Sequence, residues 1–181
     1  SVPVLLHLGQ ALYFQGKLDE AQVILTTCAD LPGGHEVCAL SRALVFKESG
    51  QYAEALELFG LAEAIARRAV AGEGKGAGEV RTAGLTDVLL QRGKMHHQWG
   101  FHALALADFA GCREERGSQG QQCAVHYASS LMALGRWGDA SAAYEFAREL
   151  ANHEGEQSHK AYCRLRSSAM ETTATDTCPA I

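Results

Sequence analysis

Gly16-Lys-Leu-Asp-Glu-Ala21 is the first of four similar segments in this chain. The other three are Gly50-Gln-Tyr-Ala-Glu-Ala55, Gly100-Phe-His-Ala-Leu-Ala105 and Gly135-Arg-Trp-Gly-Asp-Ala140. Four residues after each Ala stands a large apolar side chain, in order Leu25, Phe59, Phe109 and Tyr144. Three residues later comes a small one, Cys28, Ala62, Cys112 or Ala147. A repeated pair of helices joined by a turn is the simplest structure that produces this pattern.

The sequence between the four segments is also typical of helices. Apolar residues recur at steps of three and four, as in Ala55, Leu58, Phe59 and Ala62, and the alternation typical of strands is absent. Residues 33–178 contain no proline, the strongest helix breaker. Glycine readily adopts the left-handed conformation that ends a helix. We therefore predict an all-α chain with a tight turn at each of Gly16, Gly50, Gly100 and Gly135.

Composition excludes several classes of partner and compartment. The net charge of −5 and the lack of a basic stripe argue against nucleic acid as a partner. The sequence has no apolar run of roughly 20 residues and no signal-peptide pattern, so we expect a soluble cytoplasmic or nuclear protein without membrane contact. The six cysteines include no C-x-x-C pair and are predicted to be reduced thiols. Cys28 and Cys112 are interpreted as small packing residues.

The pattern resembles the tetratricopeptide repeat, a two-helix hairpin of 34 residues. The first unit carries the resemblance best, through Leu5, Leu8, Gly9, Leu12, Gly16, Ala21, Leu25, Cys28 and Pro32. The resemblance covers most of residues 3–152 and implies a right-handed superhelical solenoid of antiparallel helical hairpins. Three positions depart from the family pattern, namely Arg42, Arg92 and His96. We interpret both arginines as stems that pack while their charged heads reach water; contact with an acidic partner is the alternative.

The spacing of the turns predicts how the units are arranged. Gly16 and Gly50 are 34 residues apart and Gly100 and Gly135 are 35 apart, whereas 50 residues separate Gly50 from Gly100. We expect the middle excess to lengthen a helix and to form a flexible Gly-rich connection over 72–78. The predicted solenoid spans 1–155, with units of about 2–35, 36–69, 79–119 and 120–153, a capping helix over 156–170 and a disordered tail over 171–181.

No motif in the sequence predicts catalysis. The Gly-rich segment with Lys75 lacks the spacing and the Lys-Ser/Thr pair of a phosphate loop, and we interpret it as a linker. A cluster of histidines, His96, His97, His102 and His126, has no accompanying zinc-ligand spacing. Packing and surface roles are favoured over metal binding for these histidines. We therefore predict a protein that is not an enzyme and has no cofactor or metal.

The family resemblance implies that the first helix of each hairpin lines a concave groove. The implied groove residues are Leu6, Gln10, Tyr13, Leu40, Leu44, Lys47, Leu90, Lys94, His97, Val125, Ser129 and Met132. Co-chaperones of this family clamp a terminal carboxylate with Lys and Asn, but apolar residues and Gln10 hold those positions in the first two units.

An apolar groove of this kind predicts a non-catalytic scaffold or adaptor rather than a carboxylate-clamp co-chaperone. The expected partner is an apolar or amphipathic segment of another protein, bound as a peptide or helix, with Lys47 and Lys94 contacting acidic flanks. Self-association through the stack ends or the convex face is one alternative. A regulatory fragment of a larger multi-domain protein is the other.

Overall fold

The computed structural model describes residues 1–70, 84–113 and 118–152, which form eight α-helices and no strand. In chain order the helices are α1 (Val2–Phe14), α2 (Leu18–Ala29), α3 (Gly34–Glu48), α4 (Tyr52–Val70), α5 (Leu85–Gln98), α6 (His102–Cys112), α7 (Ser118–Ala133) and α8 (137–152). The predicted all-α class is confirmed. The predicted Gly-rich connection (72–78), capping helix (156–170) and tail (171–181) lie outside the described residues.

The four predicted turns are confirmed as left-handed glycines. Their φ angles are 76° at Gly16, 76° at Gly50, 84° at Gly100 and 74° at Gly135. At the first turn the Gly16 amide donates to the Tyr13 carbonyl (2.9 Å) and the next amide donates to the Leu12 carbonyl (3.0 Å). The other three turns repeat both bonds, which together form a Schellman motif. A side chain at any of these glycines would strain the backbone.

Small and large side chains meet where the two helices of a hairpin cross. Ala21, Ala55, Ala105 and Ala140 are buried, as are the large residues of the first three hairpins, Leu25, Phe59 and Phe109. Gly9 lies opposite Leu25, and Gly93 lies opposite Phe109. A Cβ atom at Gly93 would stand 2.6 Å from Cε1 of Phe109. The close approach of α5 and α6 therefore depends on the missing side chain.

This close approach predicts opposite effects for two glycine substitutions. Gly93→Ala is expected to lower the free energy of unfolding by about 1–2 kcal/mol, because overpacking outweighs the gain in helix propensity. Gly60→Ala is the matched control, since Gly60 lies inside α4 and a Cβ atom there meets nothing within 4 Å. We expect that substitution to stabilise the protein by about 0.5–1 kcal/mol. Urea unfolding followed by circular dichroism measures both, and stabilisation by both variants would contradict the tight α5–α6 contact.

The helices pack in sequence order, with a second set of contacts between alternate helices. Each helix from α1 to α6 contacts the next one along the chain. The first helices of successive hairpins also contact one another, α1 with α3, α3 with α5 and α5 with α7. Among α1 to α7, the second helices α2, α4 and α6 make no such contact. One surface is thus a continuous row of first helices, which we call the first-helix face.

The excess residues between the second and third turns do lengthen a helix, as predicted. The second helix of that hairpin, α4, has 19 residues, whereas α2 has 12. None of the helices in the described ranges combines the length and the apolar composition that a membrane span requires.

Two disulfides correct the prediction of reduced thiols. Cys28 of α2 is bonded to Cys38 of α3 (Sγ–Sγ 2.01 Å), and Cys112 of α6 to Cys123 of α7 (2.05 Å). Each bond joins the second helix of one hairpin to the first helix of the next. Cys38 and Cys123 both stand twelve residues before a turn glycine, so the shared register was a signal that the sequence interpretation missed. Cys163 and Cys178 lie beyond the described part of the chain.

A buried ion network joins the second hairpin to the third. The Arg92 guanidinium on α5 binds Oε2 of Glu63 on α4 (2.5 Å) and Oδ1 of Asp108 on α6 (2.6 Å). His96 Nδ1 lies 2.9 Å from the second oxygen of Asp108. Only 16% of the Arg92 side chain is exposed, so the expectation that its head reaches water is wrong. Its acidic partners belong to the chain itself, because α4 and α6 flank α5.

Arg42, the other departure from the family pattern, has a different environment. It is half-buried, and its Nε atom is buried without a hydrogen-bond partner in the described structure. The two arginines therefore do not act as a pair, although they occupy the same register eight residues before a turn glycine.

Candidate functional site

The twelve predicted groove residues all lie on the first helices, but the structure does not expose them equally. Leu6 and Leu90 are buried in the hydrophobic core, so little of either is available to a ligand. The half-buried residues are Gln10, Tyr13, Leu40, Leu44, Lys47, Lys94, His97 and Ser129. Val125 and Met132 are exposed. A ligand on the first-helix face would therefore meet mainly the ten residues outside the core.

An apolar pocket opens between α1 and α3, and we call it the Tyr13 pocket. It has a volume of about 230 Å³ and is lined by Gln10, Tyr13, Phe14, Leu25, Ser41 and Leu44. At the rim of the pocket, Gln10 donates a hydrogen bond from Nε2 to the Ser41 hydroxyl oxygen (3.1 Å). These two polar side chains are therefore bonded to each other. Small-molecule sites usually exceed about 300 Å³, so the pocket suits a single large side chain better than a drug-sized ligand.

Phe14 makes the rim of this pocket unusual. Its side chain is 83% exposed, the largest exposure among the exposed large apolar residues, and its ring packs edge-on against Tyr13 at 5.4 Å. Phenylalanine is a residue that folding normally buries. An aromatic ring left in water beside an apolar pocket is typical of a surface that binds another molecule.

At the opposite end of the first-helix face, one lysine is accompanied by three histidines. Lys94 and His97 on α5, His102 on α6 and His126 on α7 form what we call the Lys94 cluster. The His97 and His102 rings are 4.8 Å apart, and Lys94 Nζ donates to the Gln122 side-chain oxygen at 3.4 Å. Within the described structure, none of the four forms a salt bridge with a carboxylate.

The pKa directions show that these groups act on one another. Burial, followed by the charge of Lys47, lowers the pKa of Lys94. Burial also lowers the pKa of His126, and the charges of Lys94 and His97 add to the effect. For His97, the lowering of the pKa comes from burial and then from His102. Each shift disfavours a positive charge, so near pH 7 the imidazoles of His97 and His126 are mainly neutral and Lys94 is the charged group of the three.

The contact between His97 and Ser130 is structural rather than catalytic. The Ser130 hydroxyl donates to the His126 carbonyl (3.0 Å), so its oxygen accepts from the Nδ1–H of His97 at 2.9 Å. Because the hydroxyl proton points away from the imidazole, His97 is not placed to act as its base. Ser130 is also fully buried. The pair fixes the orientation of the His97 ring on the first-helix face.

The four histidines of the sequence cluster separate into two environments. His96 is buried and bound to Asp108, whereas His97 points toward α7, as expected for neighbours about 100° apart on a helix. No group of three or more metal-binding side chains occurs within the described ranges.

A second concavity lies on the last hairpin. It has a volume of about 380 Å³ and is lined by Arg113, Tyr127, Leu131, Arg136, Asp139, Ala142, Ala143 and Phe146. The Arg113 guanidinium stacks over the Tyr127 ring at 4.3 Å, and Trp137 nearby in sequence is 65% exposed. This surface is formed by α7, α8 and Arg113 at the end of α6, and it is separate from the Tyr13 pocket.

The sequence interpretation missed four residues of the first-helix face: Phe14, Ser41, His126 as a neighbour of Lys94, and Ser130. Ser41 and His126 both stand nine residues before a turn glycine, so their shared position could have been found from the register alone. The exposure of Phe14 also had a sequence signal, since Glu48 and Gln98 hold the same position, two residues before a turn glycine, in the next two units.

Two comparisons with known proteins identified no relative of this chain. No protein-family model matches the chain, and a search of curated proteins finds no match.

Proposed function

We propose that this chain is a tetratricopeptide-repeat-like solenoid that acts as a non-catalytic interaction module and binds a segment of a partner protein on its first-helix face. Two features support the repeat assignment. The four hairpin turns share one Schellman geometry, and among α1 to α7 the first helices of successive hairpins contact each other while the second helices do not. This order of contacts is expected when a stack of hairpins curves with its first helices inside.

The Tyr13 pocket carries the proposal for binding. It is an apolar concavity on the row of first helices, and the exposed Phe14 ring stands at its edge. Peptide-binding surfaces commonly combine such a pocket with a few polar groups that fix the register of the bound segment. The clamp positions hold Leu6, Gln10, Leu40 and Leu44, so the pocket would desolvate a terminal carboxylate without supplying cationic donors.

Selection of peptides on the immobilised protein tests this proposal. The probe is a displayed library of random 12-residue peptides, and we expect enrichment on the wild-type chain. Leu44→Ser is expected to weaken binding of the enriched peptides about tenfold, because the pocket loses most of one apolar wall. Val23→Ser is the matched control, since Val23 is 65% exposed on the second helix α2.

Circular dichroism of each variant establishes that the fold is retained. Equal peptide binding by the wild type and Leu44→Ser would contradict the proposed site, and the absence of any enriched peptide would contradict the proposed function. Light scattering of the same samples addresses the alternative of self-association.

A further inference from the structure

The Tyr13 pocket has a counterpart at the junction of the last two hairpins. The hairpins share one register, so each of the six residues that line the Tyr13 pocket has an equivalent at the same number of residues from the corresponding turn glycine. At the junction of α5 and α6 with α7, the same six positions hold Lys94, His97, Gln98, Phe109, His126 and Ser129. The Phe109 and His126 rings stack at 5.4 Å, so the two residues equivalent to Leu25 and Ser41 also lie together here. The same place in the repeat thus holds only uncharged residue types at one end of the face and contains a lysine at the other.

Lys94 has no carboxylate partner in the part of the chain that the structure describes. Lys47 binds Glu48 at 3.0 Å, whereas Lys94 contacts only the neutral Gln122 and His97 contacts only the neutral Ser130 among the hydrogen-bond partners in the described structure. The chain as a whole carries a net charge of −5, so a half-buried lysine without a carboxylate partner is a departure from its average surface. A half-buried ammonium group is stabilised when a ligand supplies the missing anion.

We propose that the partner segment carries an acidic side chain that binds at Lys94 and His126, together with a large apolar side chain that fills the Tyr13 pocket. This inference rests on the proposed function and adds the chemistry and the orientation of the ligand. The carboxylate accepts hydrogen bonds from Lys94 Nζ and from the imidazole N–H of His126, and the contact with Lys94 is charge-assisted at a half-buried site.

The positions of the two sites limit the length of the ligand. One lies between α1 and α3 and the other between α5 and α7, so two interhelical spacings separate them. At about 10 Å per spacing the separation is roughly 20 Å. An extended peptide covers this distance in about six residues. We therefore expect the acidic and apolar anchors of a bound extended segment to be about six residues apart.

The peptide selection described above provides the probes for a direct test. The peptides enriched on the wild type are expected to contain Asp or Glu about six residues from Leu, Phe or Trp. The strongest peptide is then synthesised with a fluorophore in two forms, one with its acidic residue and one with the matching amide. Fluorescence anisotropy measures the binding of both forms to the wild type, to Lys94→Gln and to Lys17→Gln.

Lys17→Gln is a matched control, since it removes the same charge from an exposed side chain outside the face. We expect Lys94→Gln to weaken the acidic peptide about tenfold and Lys17→Gln to change its affinity less than twofold. The amide peptide should bind the wild type about tenfold more weakly and should no longer distinguish wild type from Lys94→Gln.

The outcomes distinguish failure of this inference from failure of the proposed function. The acidic ligand is overturned if the enriched peptides lack acidic residues, or if an acidic peptide binds the wild type and Lys94→Gln equally well. In both cases, binding that depends on Leu44 would still support the interaction module. If no peptide is enriched, or if Leu44→Ser has no effect on the enriched peptides, both proposals are overturned. Unfolding midpoints of all variants within a few degrees of the wild type exclude loss of fold as the cause.

Discussion

Replacing Asp108 with Asn is expected to lower the free energy of unfolding by about 3–5 kcal/mol. Asp108 is 5% exposed and accepts hydrogen bonds from Arg92 and His96 on α5. The substitution removes one of the two carboxylates that bind the buried Arg92 guanidinium and leaves Glu63 to balance its charge. Removing one partner of a buried ion pair is strongly unfavourable. Urea unfolding followed by circular dichroism measures the loss.

The exposed pair formed by Arg136 and Asp139 provides the control. Its side chains are 54% and 56% exposed, so Asp139→Asn is expected to change the stability by less than about 1 kcal/mol. A loss at Asp108 no larger than the loss at Asp139 would contradict the buried network. Glu63→Gln should give an intermediate loss, since Glu63 also binds the more exposed Arg67.

The same network predicts how stability changes in acid. Burial raises the pKa of Asp108, but the hydrogen bonds from His96 and Arg92 and the Arg92 charge outweigh burial and lower it from 3.8. For Glu63, hydrogen bonds from Arg67 and Arg92 likewise outweigh burial and lower the pKa from 4.5. Below these values the unfolded chain binds more protons than the folded one, so the network's stabilisation is lost as the pH falls below about 4. Asp108→Asn should lose less stability over this pH range than the wild type does.

Reducing the two disulfides is expected to destabilise the protein by about 2–3 kcal/mol for each bond. Cys28–Cys38 and Cys112–Cys123 close short loops, with separations of 10 and 11 residues, so each restricts the unfolded chain less than a long-range bond would. Thermal unfolding with and without a phosphine reductant measures the combined effect. The folded state also loses a covalent link between consecutive hairpins.

Variants that remove one bond at a time identify the contribution of each. Cys112→Ala combined with Cys123→Ala should remove about half of the sensitivity to reductant, and the Cys28–Cys38 link should survive in it. Mass spectrometry of unreduced, alkylated peptides detects each link directly. Free thiols at all four positions in protein purified under oxidising conditions would contradict the disulfide assignment. An unchanged melting temperature in reductant would contradict the predicted size of the effect.

Different interactions connect consecutive hairpins at the outer junctions and at the central junction. Disulfides join the first hairpin to the second and the third to the fourth, whereas the second and third hairpins meet through Arg92 and its carboxylate partners. This central junction follows the longest helix, α4, and lies where the spacing of the turns is largest. Reductant therefore acts on the outer junctions, and acid below about pH 4 acts on the central one.

The helical hairpins and their turns could be predicted from the sequence because their causes are local. Gly16 and its three equivalents are followed by the same pattern of small and large residues, and a positive φ strongly favours glycine. The close approach at Ala21 and Leu25 likewise follows from side chains four residues apart on one helix. These interactions involve neighbours in the sequence, so their pattern is visible without a fold.

The candidate site was only partly predictable. The register placed Tyr13, Leu44, Lys94 and His97 on first helices, and the structure agrees. The burial of Leu90 and the full exposure of the Phe14 ring depend on how neighbouring hairpins pack, which the register of a single hairpin does not specify.

The sequence by itself determined that this chain is helical, where its hairpins turn and which helix faces are apolar. Only the tertiary structure decided which charges are paired, because the carboxylates of Arg92 lie 29 and 16 residues away on two other helices. It also decided that Cys28 reaches Cys38 and that Lys94, His97 and His126 are brought together without an anion. Local preferences act over one or two helical turns, whereas ion pairs, disulfides and binding surfaces require side chains from different helices to meet.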